Sequence, residues 1–220
     1  MASYAQAKSR QGEWLIRIED IDPPREQPGS DQLILRALEA YGFEWDGPVT
    51  YQSTFTERHE SVVAALLAAG AAYPCGCSRR DLADIPYGPL GAIYPGTCRL
   101  GCSASETAIR LRTNDSPIIF TDTLQGEQTQ YLESESGDFI IKRRDGLIAY
   151  HLAAVVDDHY QGIGEIVRGI DLMDSTPRHI WIQKILNMPI PAYMHIPVAV
   201  NDYGQKLSKL TGAAPIKKKS

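Results

Sequence analysis

Long apolar runs are missing from this chain of 220 residues: nowhere do about 18 consecutive apolar residues occur, so it offers no candidate transmembrane helix. Its first residues, from Met1 to Lys8, hold no apolar stretch of signal-peptide length, and a cytoplasmic protein with no membrane partner is expected. Surplus positive charge is missing too. With 22 Lys and Arg against 27 Asp and Glu the formal net charge is -5, which excludes a general attraction to nucleic acid or anionic lipid and requires any RNA contact to be local. Cysteine is scarce, and the four present, at 75, 77, 98 and 102, are confined to one short window; without a secretion signal such clustering favours metal over disulfides. There is no internal repeat and no low-complexity segment. What remains, 43% hydrophobic and 8% aromatic residues, suffices for one sizeable core or for a domain carrying an insertion.

Charge is concentrated where a core strand should not carry it. Arg17-Ile-Glu-Asp-Ile-Asp-Pro-Pro-Arg-Glu26 compresses four carboxylates and two arginines into ten positions, directly after Trp14, Leu15 and Ile16. In an extended strand Trp14, Ile16 and Ile18 share one face while Leu15, Arg17 and Glu19 share the other, and Pro23 and Pro24 stop any ladder. A strand that turns charged at its carboxyl end fits the rule that open α/β sheets bind ligands beyond those ends. The blander alternative is a solvated acidic turn; the flanking apolar strand and the mixed signs weigh against it.

Two helices are expected next, one capped by Ser30 with Leu33, Ile34, Ala37, Leu38 and Tyr41 at apolar spacing, one capped by Thr56 with Val62, Val63, Leu66 and Leu67 inward. Between residues 75 and 145 the character changes to Pro- and Gly-bearing loops, the cysteines, short β-type runs at 118–121 and 139–142, and a hairpin-type Asp145-Gly146. The α/β pattern then resumes: an apolar helix at 150–156, a strand at 165–169, a helix capped by Thr176 with Pro177 at its first turn running to about Asn187, and a last strand at 196–200 leading to Lys206-Leu-Ser-Lys209. The expected fold class is therefore α/β. It is a Rossmann-like parallel sheet in two parts, residues 1–74 and 146–220, split by an inserted subdomain at 75–145 that carries a metal site.

The charged turn, Arg168-Gly-Ile-Asp171 with Thr176-Pro-Arg178, and the loop Lys206 to Lys209 together resemble the class I aminoacyl-tRNA synthetases, and their glutamyl branch in particular. The loop resembles that family's KMSKS signature, with Leu207 at its second position and Leu210 in place of the last serine. Tyr73-Pro-Cys-Gly-Cys-Ser-Arg79, Tyr94-Pro-Gly-Thr-Cys98 and Asp138-Phe-Ile-Ile-Lys-Arg-Arg-Asp-Gly146 resemble the short members of the branch that load glutamate onto queuosine in tRNA(Asp). The match spans nearly all of the chain. It implies ATP-dependent activation of L-glutamate to an adenylate, Mg²⁺ accompanying the ATP, transfer to the queuosine base of tRNA(Asp), and action as a monomer.

By this resemblance Glu19 matches the acceptor of the substrate ammonium, Arg168 the arginine that recognises substrate carboxylate, and Tyr150 the tyrosine of the same pocket. Lys209 matches the loop lysine that contacts ATP, with Lys206 a second cation beside it; adenylation needs positioning and charge stabilisation, not a protein nucleophile. Taken singly, these would be a surface ion pair, a core tyrosine and solvated lysines; the motif context reverses that weighting. Cys75, Cys77 and Cys98 resemble the branch's structural Zn²⁺ ligands, with Tyr94 in the fourth place. Chemistry alone prefers Cys102 there, since four thiolates form the better zinc set. His151, His159, Asp157 and Asp158 are read as structural.

Family members carry a strand, an arginine-bearing segment and the HIGH signature ahead of the helix expected at 2–10. Two readings follow, a piece of a longer protein or a relative without activation chemistry, and retention of Glu19, Tyr150, Arg168 and Lys209 favours the first. The rival functions are the catalytic portion of an ordinary glutamyl-tRNA synthetase and a non-catalytic zinc-bearing RNA-binding module.

Overall fold

Three parallel strand pairings and a three-stranded antiparallel sheet organise the backbone of the computed structural model, which describes residues 1–201 and 203–207. In chain order the elements are α1 (Ala2–Ser9), β1 (Arg17–Ile18), α2 (Ser30–Ala40), β2 (Thr50–Tyr51), α3 (Thr56–Ala68), β3 (Ala72–Cys75), β4 (Tyr87–Gly88), β5 (Gly91–Ala92), β6 (Ala108–Leu111), β7 (Ile118–Asp122), β8 (Gly126–Gln130), α4 (Leu132–Glu135), β9 (Phe139–Lys142), α5 (Tyr150–Tyr160), β10 (Glu165–Gly169), α6 (Thr176–Ile185) and β11 (Ala192–Ile196). β1 runs parallel to β2, and β10 parallel to β11. β11 also pairs parallel with β7, whose hairpin partner β8 closes that four-stranded sheet, while β3, β6 and β9 form a separate antiparallel sheet. The chain is thus a mixed α/β fold with parallel strands.

Helix α5 shows why these layers meet. Six consecutive residues, Leu152 to Asp157, are buried, so the helix is enclosed on every side rather than laid on a surface. Leu152, Val155 and Val156 join Leu111, Ile141, Ile180 and Ile182 in one core that spans both sheets and α6. A second, smaller cluster gathers Tyr73, Cys75, Tyr94 and Cys98. No helix among the described residues is long and apolar enough to cross a membrane.

Several expected elements differ from the observed ones. The strand expected from Trp14 onward shortens to Arg17–Ile18, because the backbone N–H of Trp14 is taken by the Asp46 carboxylate at 2.8 Å instead of a neighbouring strand. The last strand lies four residues earlier than expected, at Ala192–Ile196, and Pro197, which has no N–H, ends it. The three hydroxyl caps also differ: Ser30, Thr56 and Thr176 are the first helical residues, and Gly29, Phe55 and Ser175 hold the cap positions with no side-chain cap bond. On α2 the apolar stripe is not buried, with Leu33 63% and Ile34 52% exposed.

Candidate functional site

The carboxyl end of β1 opens onto a cavity of about 730 Å³ whose walls include Arg17, Glu19, Tyr150, Asp158 and Arg168. The strand alternation accounts for the first two: Leu15, Arg17 and Glu19 all line the cavity, while Ile16 turns away and is buried. Arg17 donates to Asp158 Oδ1 at 2.8 Å and to Gln161 Oε1 at 2.5 Å, both on the C-terminal part of α5 or just past it. Glu19 Oε1 lies 3.5 Å from the same guanidinium. Burial raises the Glu19 carboxyl above its ordinary range and Arg17 opposes the rise; Asp158 is raised by the same balance. A cavity wall with more carboxylate than cation therefore faces any ligand, and a substrate ammonium would relieve it.

Across the cavity Arg168, on β10, is held by a set of uncharged acceptors. Its Nε donates to His195 Nε2 at 3.0 Å and its second terminal nitrogen to Thr176 Oγ1 at 2.7 Å. Because His195 Nε2 accepts, its proton sits on Nδ1 and is donated to Asp122 Oδ2 at 2.6 Å. The remaining terminal nitrogen lies 3.4 Å from His179 Nδ1 and 3.5 Å from the Tyr150 hydroxyl, and His179 Nε2 reaches His151 Nδ1 at 3.2 Å. Burial, reinforced by the nearby arginines, pushes His151 down to about 3 and His179 well below the usual imidazole range. Neutral imidazoles orient the guanidinium without cancelling its charge, which leaves that charge for an anion entering the cavity.

The strand-end lysines divide. Lys206 Nζ forms an ion pair with Asp171 Oδ2, two residues past β10. Lys209 lies outside the described residues.

The cysteine window folds into a cluster in which the Sγ atoms of Cys75, Cys77 and Cys98 all lie within 4.8 Å of one another. The Tyr94 hydroxyl sits among them, 3.3 Å from Cys75 Sγ and 3.7 Å from Cys77 Sγ, and accepts the Cys98 backbone N–H at 3.0 Å. Cys102 is outside that cluster of sulfurs, its Sγ 2.7 Å from where a Cβ on Gly76 would lie. Burial raises Cys77 to about 11; in Cys98 burial is outweighed by the Gly76 N–H and the Tyr94 hydroxyl, which bring that thiol down to about 7. Three sulfurs and one phenol at these separations suit a tetrahedral, thiolate-rich metal such as zinc, with no carboxylate that would prefer a harder ion.

Glu19, Tyr150 and Arg168 are thus brought to one cavity, and Cys75, Cys77, Tyr94 and Cys98 to one cluster that lines no part of it. The sequence reading missed Arg17, Thr176, His179, His195 and Asp122, and set Asp158 aside. Two signals existed: the one-face pairing of Arg17 with Glu19, and the alternation of Tyr193 with His195, which the misplaced last strand concealed.

The chain matches the family of class I (E and Q) tRNA synthetases, catalytic domain, over residues 1–86 and 101–219. It is 48% identical over 217 residues to a glutamyl-Q tRNA(Asp) synthetase of Ectopseudomonas mendocina, covering 98% of this chain and 72% of that protein. A protein of the same name from Chromobacterium violaceum is 48% identical over 219 residues, covering 98% and 74%. Among solved structures, a glutamate tRNA ligase of Elizabethkingia meningosepticum superposes with a TM-score of 0.82 at 24% identity, over 96% of this chain and 48% of that one. The chain therefore spans about half the length of that ligase.

Proposed function

The chain belongs to the class I tRNA synthetases of the glutamyl and glutaminyl group, and from that membership we propose that it activates L-glutamate with ATP and transfers the glutamyl group to the queuosine base of tRNA(Asp). The observation that carries the reading is the convergence of Glu19, Tyr150 and Arg168 on one cavity. Glu19, backed by Asp158, receives the substrate ammonium, and the Arg168 guanidinium receives a substrate carboxylate, with the Tyr150 hydroxyl between them. The α-carboxylate of glutamate attacks the α-phosphorus of ATP; the mixed anhydride forms as pyrophosphate leaves, and transfer to the modified base then releases AMP. No side chain needs to act as nucleophile. Positioning and fixed charge lower the barrier.

Lys209 and Lys206 supply positive charge to the ATP phosphates, Lys206 being steered toward the end of β10 by Asp171. Mg²⁺, carried by the phosphates and water, would neutralise charge on the leaving pyrophosphate. Zn²⁺ held by Cys75, Cys77, Cys98 and Tyr94, none of which lines the cavity, would act as a structural cross-link. These substrates are cytoplasmic, which supports a cytoplasmic setting.

Glutamate-dependent exchange of pyrophosphate into ATP tests the first step, and glutamylation of tRNA(Asp) with and without queuosine tests the second. Exchange with glutamate alone among the amino acids, and charging only of the queuosine form, is the expected result. Equal charging of both tRNA(Asp) forms rejects the acceptor, and charging of tRNA(Glu) moves the assignment to an ordinary glutamyl-tRNA synthetase.

A further inference from the structure

Arg110 sits on β6, the middle strand of the antiparallel sheet, opposite Tyr73 of β3 and Ile140 of β9. Both faces of β6 are covered: Ile109 and Leu111 face the main core, and by ordinary alternation Arg110 faces the cysteine cluster beside its cross-strand partner Tyr73. There its Nε donates to Cys75 Sγ at 3.2 Å, and its guanidinium carbon stands 3.7 Å from the centre of the Tyr94 ring. One terminal nitrogen is anchored on the Asp138 backbone oxygen at 2.7 Å. The Asp138 carboxylate is itself committed to Arg99, at 2.6 Å.

A cation only 7% exposed, with no carboxylate partner found among the described residues, is costly unless something anionic faces it. What faces it is the metal cluster. Three thiolates around a divalent ion leave net negative charge. We propose that Arg110 is the built-in counter-charge of this metal site, hydrogen-bonded to the Cys75 sulfur and stacked on the Tyr94 ring, and that it sets how tightly the site holds its ion. The inference rests on the metal reading given above.

The test is Zn²⁺ affinity of the purified full chain, measured by competition with a chromogenic chelator, for the parent and for Arg110→Met, Arg110→Gln, Arg110→Lys and Cys102→Ser, with circular dichroism on each. The expected result is one Zn²⁺ in the parent, a ten- to hundredfold loss of affinity in the two neutral variants on the order typical of residues contacting metal ligands, a smaller loss in Arg110→Lys, which keeps the charge but not the planar stack, and none lost in Cys102→Ser. The Co²⁺-loaded parent should show the absorption of a tetrahedral thiolate site, and Cys102→Ser the same spectrum. Parental affinity in the neutral variants overturns the proposal, as does a Lys variant that falls as far as they do. Should Arg110→Met fail to fold, the Gln and Lys pair carries the same decision. A parent that binds no Zn²⁺ overturns the metal reading itself, an outcome distinct from the others.

Discussion

At the scale of residues, the cavity-lining Arg168 owes its direction to a chain of buried polar groups. Asp122 fixes the His195 tautomer, and His195 and Thr176 fix the Arg168 fork. Asp122 stays ionised because, although burial opposes it, the backbone N–H groups of Gln125 and Leu124 and the His195 ring all donate to it. His195→Phe should therefore raise the glutamate KM by roughly tenfold or more, the scale of one lost hydrogen bond to a charged group, while leaving the ATP KM unchanged in pyrophosphate exchange. An equal rise in both constants would indicate a general loss of structure instead. His151 and His179 make stability depend on pH. Their folded values lie below the unfolded value near 6.5, with His151 at about 3. Between those limits the unfolded chain binds more protons, so stability present above pH ~6.5 is lost as pH falls, by up to about 1.4 kcal/mol per unit for each histidine. Urea midpoints taken from pH 7.5 down to 5 should decline, and His151→Gln should flatten the decline.

At the scale of elements, the charged turn was legible because charge in an extended segment needs no tertiary knowledge to look misplaced. Helices α2 and α3 were legible from apolar spacing, α5 from its apolar run and α6 from Thr176-Pro177 at its start, but none of the three expected hydroxyl caps forms. Thr176 has the right identity for a cap, yet its hydroxyl is spent on Arg168, a competition no local rule contains. Likewise Tyr193 and His195 fall outside the strand expected at 196–200, since that run is the more apolar one and only pairing with β10 identifies the true strand. One loop contact was invisible altogether. Gly137 bridges to Tyr94 with φ +66, and a Cβ there would stand 2.1 Å from the Tyr94 carbonyl oxygen. Gly137→Ala should cost ~3 kcal/mol in urea unfolding, and should weaken Zn²⁺ binding as well, because Tyr94 must move. A stability loss under 1 kcal/mol would show that the loop yields cheaply.

At the scale of the whole molecule, two buried clusters divide the work. The larger one joins α5, α6 and strands of both sheets, and it carries the cavity walls; the smaller one holds the cysteines. Chelation of the metal should therefore release the smaller cluster first. Hydrogen exchange followed by mass spectrometry is expected to show protection lost around residues 75–102 and kept across α5 and α6, and loss everywhere at once would mean the clusters unfold as one unit. Sequence alone determined the family, the ligand candidates Cys75, Cys77, Tyr94 and Cys98, and the substrate candidates Glu19, Tyr150 and Arg168, because these are statements about residue identity and spacing along a chain. Only the tertiary structure decided which neutral groups orient Arg168, which sulfurs share a site, and that a buried arginine faces them. Those depend on strand register, which brings together residues separated by tens of positions and leaves no local mark.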